Sequence, residues 1–300
     1  MKKSFVVDAG DTRLDLFLGQ MLELSRAKAR ALLDDGKVRV DGRRAPKGLM
    51  LTAGQTVEVD IVETSLALVP EAEVALSVLW EDSSLIAVDK RSGTPSHPLR
   101  PGETGTVANA LVARYPECET ASEDAREAGL VHRLDTDTSG VMVAARTAEV
   151  WRALRTAFTQ RHIDKTYWAL TCGPIADEGD IDLPLLQAGG RVRPDNAGRE
   201  ALSSFRVLRR VGPYCLVEVK ILTGVMHQVR AHLAAVGAPL LGDTLYGGPE
   251  DPVLRRFFLH ARALGFTHPT TGVPWRVEAP LPTELSLAQA RYLGPSAPLE

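Results

Sequence analysis

The sequence predicts a chain of helices and β-hairpins in two parts, a short N-terminal unit and a longer C-terminal region. Three observations carry this. The hydrophobic period switches repeatedly between three-to-four and two. Turn pairs such as Asp41-Gly42 and Gly212-Pro213 sit between alternating runs. Thr64 to Glu73, without a clear period and with Pro70 inside it, reads as the linker between the parts.

Residues 11 to 61 read as a compact unit. A first helix begins at Arg13, with Leu14, Phe17, Leu18 and Met21 on one face. Ser25 is placed to cap a second helix, Arg26 to Leu33, which stops at Gly36. Lys37 to Arg43 alternates basic and apolar residues into the Asp41-Gly42 turn, and Gly54 to Asp60 supplies another strand. Between Arg26 and Lys47 stand Arg26, Lys28, Arg30, Lys37, Arg39, Arg43, Arg44 and Lys47 against only Asp34, Asp35 and Asp41. Such a surplus suits phosphate contact, although a merely solvated basic face would look the same.

In the longer region, Val74 to Trp80 and Leu85 to Asp89 form a hairpin, and Lys90 to Pro98 is a loop punctuated by Gly and Pro. A helix is expected over Val107 to Tyr115 and another over Ala148 to Gln160, whose Val150, Trp151, Leu154, Ala157 and Phe158 make a core-facing stripe. Asp164 to Leu170 alternates as a strand, and Phe205 to Arg210 with Tyr214 to Leu222 forms a hairpin. The chain then enters a helix that Thr223 can cap and Gly237 can end. On it His227 and Arg230 share one face, while Val229, Leu233 and Val236 lie on another.

The stretch Gly129 to Arg146 reads as strand, polar loop, strand, with His132, Arg133 and Asp135 around Leu134 and a second strand resuming after Gly140. A carboxylate at the mouth of such a loop is held rigidly, as a nucleophile or general base must be, so Asp135 is the first candidate for chemistry. The same run of Asp, Thr and Ser also suits an ordinary turn.

Composition narrows the options. An apolar content of 44% and a charged content of 24% over 300 residues are those of a well-cored globular protein. The sequence holds no apolar run long enough for a membrane span, and Met1 to Asp8 lacks the apolar core of a signal peptide, so a cytoplasmic protein is expected. Cys118, Cys172 and Cys215 are odd in number and unpaired in spacing, which suits incidental thiols. With a net charge of −3, affinity for nucleic acid must come from local patches.

His132-Arg133-Leu134-Asp135, two residues, then Thr138-Ser139-Gly140 resembles the signature loop of the RluA-type pseudouridine synthases. Lys165-x-Tyr167-x-Ala169 resembles a second motif of that family. Thr223-Gly224-Val225-Met226-His227-Gln228-Val229-Arg230-x-His232, continued by Gly242-Asp243-x-x-Tyr246-Gly247, resembles a third. The loop from Lys90 to Pro98 and the run from Leu259 to Pro269 are similar to further family segments. Arg91 stands where the family has Pro, and Val225 where it has Arg, which removes a guanidinium that bears on RNA grip or substrate choice. Residues 11 to 61 resemble the S4 RNA-binding domain.

The resemblance implies an α+β protein in which an S4-like RNA-binding domain, residues 1–63, leads through a linker and first strand, 64–79, to a catalytic domain, 80–300, with a central, mainly antiparallel sheet flanked by helices. It implies isomerisation of uridine in RNA after base flipping, with large-subunit (23S) ribosomal RNA the expected substrate and transfer RNA the second choice. By residue-wise match Asp135 is the nucleophile, Arg230 its paired guanidinium and Tyr167 the support of the base, able to assist removal of a proton. Arg133 contacts RNA and fills the gap left by the flipped base. His132, His227 and Gln228, together with Arg26, Lys28, Arg30, Lys37, Arg39 and Arg43, are the other expected RNA contacts. No cofactor and no metal are expected, and a monomer is.

Two other classes fit parts of the sequence. A metal hydrolase built on His132, Asp135, His227 and His232 fails on geometry, because five residues turn a helix by about 500° and set the two later histidines roughly 140° apart. A non-catalytic rRNA-binding assembly factor on the same scaffold is the other. Retention of Asp135, Tyr167 and Arg230 together argues against it.

Overall fold

A computed structural model of the chain describes residues 2–8, 10–22, 26–46, 48–60 and 67–295, with the side chains of 26–28 and 31 left aside. The chain divides into two compact units, Met1–Ser65 and Leu66–Glu300. Ser25 and Lys47 lie outside the described residues.

The first unit runs β1 (Lys2–Val6), β2 (Thr12–Arg13), α1 (Leu14–Met21), α2 (Arg26–Asp34), β3 (Val38–Val40), β4 (Arg43–Arg44), β5 (Met50–Leu51) and β6 (Thr56–Asp60). Its main sheet has the order β1-β6-β3-β4. Alternation decides which faces turn inward: Val38, Val40, Val57 and Val59 are buried with Leu14, Phe17, Leu18 and Leu33. Asp41 and Gly42 both take positive φ, 50° and 76°, the hairpin geometry that the Asp-Gly pair favours. Two expectations are corrected. Met21, placed on the apolar face, is 46% exposed because it ends α1. The compact unit expected over residues 11 to 61 extends further back, because Lys2–Val6 pairs antiparallel with β6.

The second unit continues with β7 (Ser77–Glu81), β8 (Leu85–Lys90), α3 (Val107–Arg114), β9 (Ser139–Ala145), α4 (Ala148–Thr159), β10 (Asp164–Cys172), β11 (Glu178–Asp182), β12 (Leu185–Ala188) and β13 (Arg191–Pro194). Then come β14 (Leu202–Val211), β15 (Tyr214–Ile221), α5 (Gln228–Ala235), β16 (Leu259–Thr267), β17 (Pro274–Glu278) and α6 (Thr283–Leu293). A sheet of order β11-β14-β15-β10-β16-β9-β8-β7, with β17 also on β16, forms the frame. Its neighbours are antiparallel except β9 and β16, which meet in parallel at His260↔Ser139 and Ala261↔Gly140 alone.

Both sheet faces are covered. Ile86, Val88, Met142 and Ala144 turn toward α3 residues such as Leu111, whereas Leu85, Ala87, Val141 and Val143 turn toward Val150, Trp151 and Leu154 of α4. In the other half α5 covers Ala169, Cys215 and Val217 with Val229 and Leu233, and α6 covers Leu170 and Leu216. Strands buried on both faces lose the polar-apolar alternation that marks an exposed one. The three thiols are free, and burial pushes that of Cys118 up to about 12.

Two elements differ from expectation near the loop of interest. Gly129–Val131 is no strand of its own. It makes one bridge, Leu130↔Ala144, and occupies the edge of β9 that β16 leaves after Gly140. The helix expected from Thr223 starts only at Gln228: Thr223 Oγ1 bonds the Gln228 side chain instead of capping, and His227 precedes the helix in the left-handed region at φ 54°. Val236, placed on its packed face, is 38% exposed at the C-cap.

Gly140 sits where the two halves of the sheet touch, with φ 119°, and a Cβ there would lie 2.1 Å from the Ala261 carbonyl oxygen. Gly140→Ala is therefore expected to cost more than about 3 kcal/mol, read as a lowered urea midpoint with an unchanged m-value.

Candidate active site

The segment His132–Thr138 carries little regular structure, so its rigidity comes from bonds to its backbone. Ser96 Oγ both donates to Leu134 O and accepts from Leu134 N–H. Ser92 Oγ donates to Asp137 O, and Gly93 N–H to Thr136 O. Lys90, 2% exposed, donates to the carbonyls of Arg91, Thr94 and Thr136 at 3.0, 2.7 and 2.7 Å. Burial pushes its ammonium down to about 7, while three carbonyl acceptors each take one N–H and so favour the charged form. From the other side Arg256 donates to Asp137 O at 2.7 Å and to Ser139 Oγ at 2.9 Å, and is itself paired with Glu284 of α6.

The loop delivers Asp135 to a cavity of about 600 Å³. His132, Arg133, Tyr167, His227 and Gln228 line it as well, so the structure brings together the candidates of this unit. Arg230, 6% exposed, sets NH1 3.8 Å from Asp135 Oδ2, and His227 Nε2 stands 3.9 Å from the same oxygen. Both are ion-pair distances beyond hydrogen-bond range. Among the described residues no side chain hydrogen-bonds the Asp135 carboxylate, and the Arg230 charge stands close to it.

Arg230 is held elsewhere. Its Nε and NH2 donate to Asp243 at 2.7 and 2.8 Å, a bidentate and buried pair, and its guanidinium lies 4.0 Å from the Phe257 ring centroid and 5.0 Å from that of Tyr246. The expected partnership of Arg230 with Asp135 is present but looser than the one with Asp243, which sequence reasoning missed. The signal was available in Gly242-Asp243-x-x-Tyr246-Gly247 at the end of the third motif.

Several candidates are differently employed than expected. Gln228, 3% exposed, spends its side chain on Thr223, Val225, Leu202 and Ser203, which leaves it a brace for the turn into α5. His132 accepts the Val143 N–H at Nε2 and stacks on Phe158, and burial pushes it down to about 3, so it anchors the loop to β9 as a neutral ring. Phe158, read as core, lines the cavity too. Burial, with the charge of Asp135 adding to it, pushes the Tyr167 hydroxyl well above the usual phenol range. Tyr167 is therefore a neutral phenol at neutral pH, suited to support a base rather than to remove its proton. A register shift at Thr166/Tyr167 in the β10–β16 pairing marks the point at which the tyrosine is aimed. His232, a metal-ligand candidate, is bonded to Ser203 Oγ and Leu183 O. Among the described residues no His, Cys, Asp and Glu group is arranged to hold a metal, and no helix is long and apolar enough to cross a membrane.

The cavity wall is cationic. Arg133 and Arg199 line it exposed, and Arg155 donates to Val131 O. Lys165, which donates to Thr223 O, is pushed down to about 8 by burial and then by Arg161. Val225 stands on the same wall. In the first unit Arg39 bonds Gly42 O, Arg30 and Lys37 pair with Asp15 and Asp35, and Arg43 is exposed. The side chains of Arg26 and Lys28 lie outside the described residues.

Comparison with known proteins agrees with the residues. Positions 84–235 match the RNA pseudouridylate synthase family and positions 12–57 the S4 domain. A "Ribosomal large subunit pseudouridine synthase D" of Xanthomonas campestris is 34% identical over 95% of this chain and 90% of its own length. One of the same title from Pseudomonas aeruginosa is 34% identical over 92% and 91%. An RNA pseudouridine synthase of Chloroflexus aurantiacus is 38% identical over 92% and 88%. Among solved structures, human RNA pseudouridylate synthase domain containing 4 superposes with a TM-score of 0.59 at 24% identity, over 72% of this chain and 92% of that one. The chain belongs to the RNA pseudouridylate synthase family. It is accordingly an α+β isomerase that makes pseudouridine in RNA, with an S4 domain at its N-terminal end.

Two measurements check this geometry. Asp243→Asn is expected to lower stability by about 3 kcal/mol in urea unfolding, because it leaves a buried guanidinium unbalanced. It should also lower turnover roughly 10- to 100-fold. His260, with its ring between Ser139 Oγ and Ala279 O, is pushed down by burial from 6.5 to about 4. Between those values the unfolded chain binds a proton that the folded chain does not, so stability rises with pH across this window. Acidification from pH 7 to 5 should remove about 2 kcal/mol through this ring alone, with its imidazole still neutral by NMR at pH 5.

Proposed function

We propose that Asp135 is the reacting carboxylate of a pseudouridine synthase acting on large-subunit ribosomal RNA. The net reaction breaks C1′–N1 of a uridine, joins C1′ to C5, and moves one proton from C5 to N1. The observation that carries the reading is Asp135 in a cationic, nucleotide-sized cavity, 3.8 Å from Arg230 and, among the described residues, free of side-chain hydrogen bonds. Tyr167 supports the uracil ring as a neutral phenol. A flipped base costs a few kcal/mol of lost stacking. Arg133, exposed at the cavity rim, is placed to offset that cost.

On this reading residues 1–63 form the RNA-binding domain, 64–79 the linker and first strand, and 80–300 the catalytic domain. The exposed basic residues of the first unit grip phosphates. The ribosomal substrate is inferred from relatives with the printed title of large-subunit enzymes; transfer RNA is the second choice. The protein acts as a cytoplasmic monomer and uses neither cofactor nor metal.

Asp135→Asn keeps the shape and removes the charge. It should lower product formation by at least about 10³-fold while RNA binding stays within a few-fold of wild type. Mapping pseudouridines in ribosomal and transfer RNA from cells with and without the protein reads out the substrate. Normal turnover by the variant would overturn the assignment of Asp135.

A further inference from the structure

His227 has features that the reading above leaves unused. Its backbone is left-handed at φ 54°, a conformation that a non-glycine residue adopts at a cost. Its ring meets Tyr246 edge-on, with Nδ1 3.0 Å from the phenol oxygen, and its Nε2 faces Asp135. Tyr246 fixes what each nitrogen can do. The Val192 N–H, which can only donate, points at the same phenol oxygen from 3.0 Å. That oxygen is thus an acceptor toward Val192, and the phenol proton has His227 Nδ1 as its acceptor. The reverse arrangement would turn two N–H donors onto one oxygen and leave the phenol proton without a protein acceptor, at the cost of a hydrogen bond. With Nδ1 accepting, the proton of a neutral ring resides on Nε2.

Burial, the largest influence, pushes the ring below its usual value, while Asp135 and Asp243 favour imidazolium and Arg230 and Arg133 oppose it. His227 is then a neutral donor beside the reacting carboxylate. When C1′–N1 breaks, its electron pair passes into the uracil ring and spreads onto N1, O2 and O4. O2 flanks N1 and is the carbonyl oxygen nearest C1′, hence nearest the group that Asp135 addresses.

We propose that His227, resting on the assignment of Asp135 above, donates its Nε2–H to the uracil O2 as negative charge develops there, with Tyr246 and the Val192 N–H as the positioning groups that hold this tautomer. No proton leaves His227 in the step. The departing electron pair is stabilised by a hydrogen bond already aimed at it.

The tautomer is tested without substrate. In RNA-free protein labelled with ¹⁵N-histidine, His227 should show a protonated Nε2 and a bare Nδ1 from pH 6 to 8, and Tyr246→Phe should abolish that preference. A proton on Nδ1, or an imidazolium at pH 7, overturns the proposal. Activity is read on transcribed large-subunit ribosomal RNA. His227→Ala should lower kcat by about 30-fold with KM within about threefold, because a donor that acts on developing charge is felt in turnover. His227→Gln, with an amide N–H in place of Nε2–H, should recover to within about fivefold of wild type. His227→Gly, which relieves the left-handed backbone, should lose activity like alanine without a lower Tm. Wild-type kcat in the alanine variant, a loss confined to KM, or a glutamine variant no better than alanine would overturn the proposal. Activity surviving in Asp135→Asn would sink the underlying reading while leaving the NMR result standing.

Discussion

The buried pair Asp243–Arg230 fixes where a guanidinium stands relative to Asp135. Because Asp243 takes two guanidinium N–H groups at 2.7 and 2.8 Å, Arg230 cannot swing closer and form the same grip on Asp135. The outcome is a compromise of distance. At 3.8 Å the guanidinium stands within ion-pair distance of Asp135 Oδ2 without a hydrogen bond to it. The rings of Phe257 and Tyr246 against the guanidinium also hold Arg230 in place.

The loop that presents Asp135 has the complementary problem, since it must be stiff without being helix or strand. It is made stiff by cations buried under its carbonyls. Lys90 takes Thr136 O and Arg256 takes Asp137 O, so consecutive peptide units are gripped from two sides. Arg256 ties the loop onward to Glu284 in α6, near the far end of the chain. An ammonium suits the first of these places because three carbonyls converge there from three directions, whereas a planar fork suits the second, where carbonyl, hydroxyl and carboxylate are spread out.

Much of this was legible in the sequence, and the reason lies in which residues leave local marks. Asp41-Gly42 fixes a hairpin by backbone conformation alone, and the spacing of Val150, Trp151 and Leu154 fixes a helix face, so both appear in the structure as read. Asp135, Tyr167 and Arg230 were found by motif, and the fold brings Asp135 and Tyr167 to one cavity with Arg230 reaching the carboxylate. What could not be read were relations between distant segments. Nothing near Lys90 announces that its ammonium will sit under Thr136 O, and nothing near Gln228 announces that its amide will be consumed by Leu202 and Ser203. The start of α5 was misplaced for a similar reason. Thr223 looks like a cap, but its hydroxyl is engaged with Gln228, and a left-handed histidine opens the helix instead.

The parallel seam between β9 and β16 is only two residue pairs long, and it joins the half of the sheet that carries Asp135 to the half that carries Arg230. The carboxylate belongs to a segment made early in translation, whereas the guanidinium and its Asp243 anchor follow roughly a hundred residues later. A chain that has emerged only through β9 therefore carries Asp135 without its guanidinium partner. The two groups come within 3.8 Å of one another only after both halves of the sheet have been made and meet at Gly140.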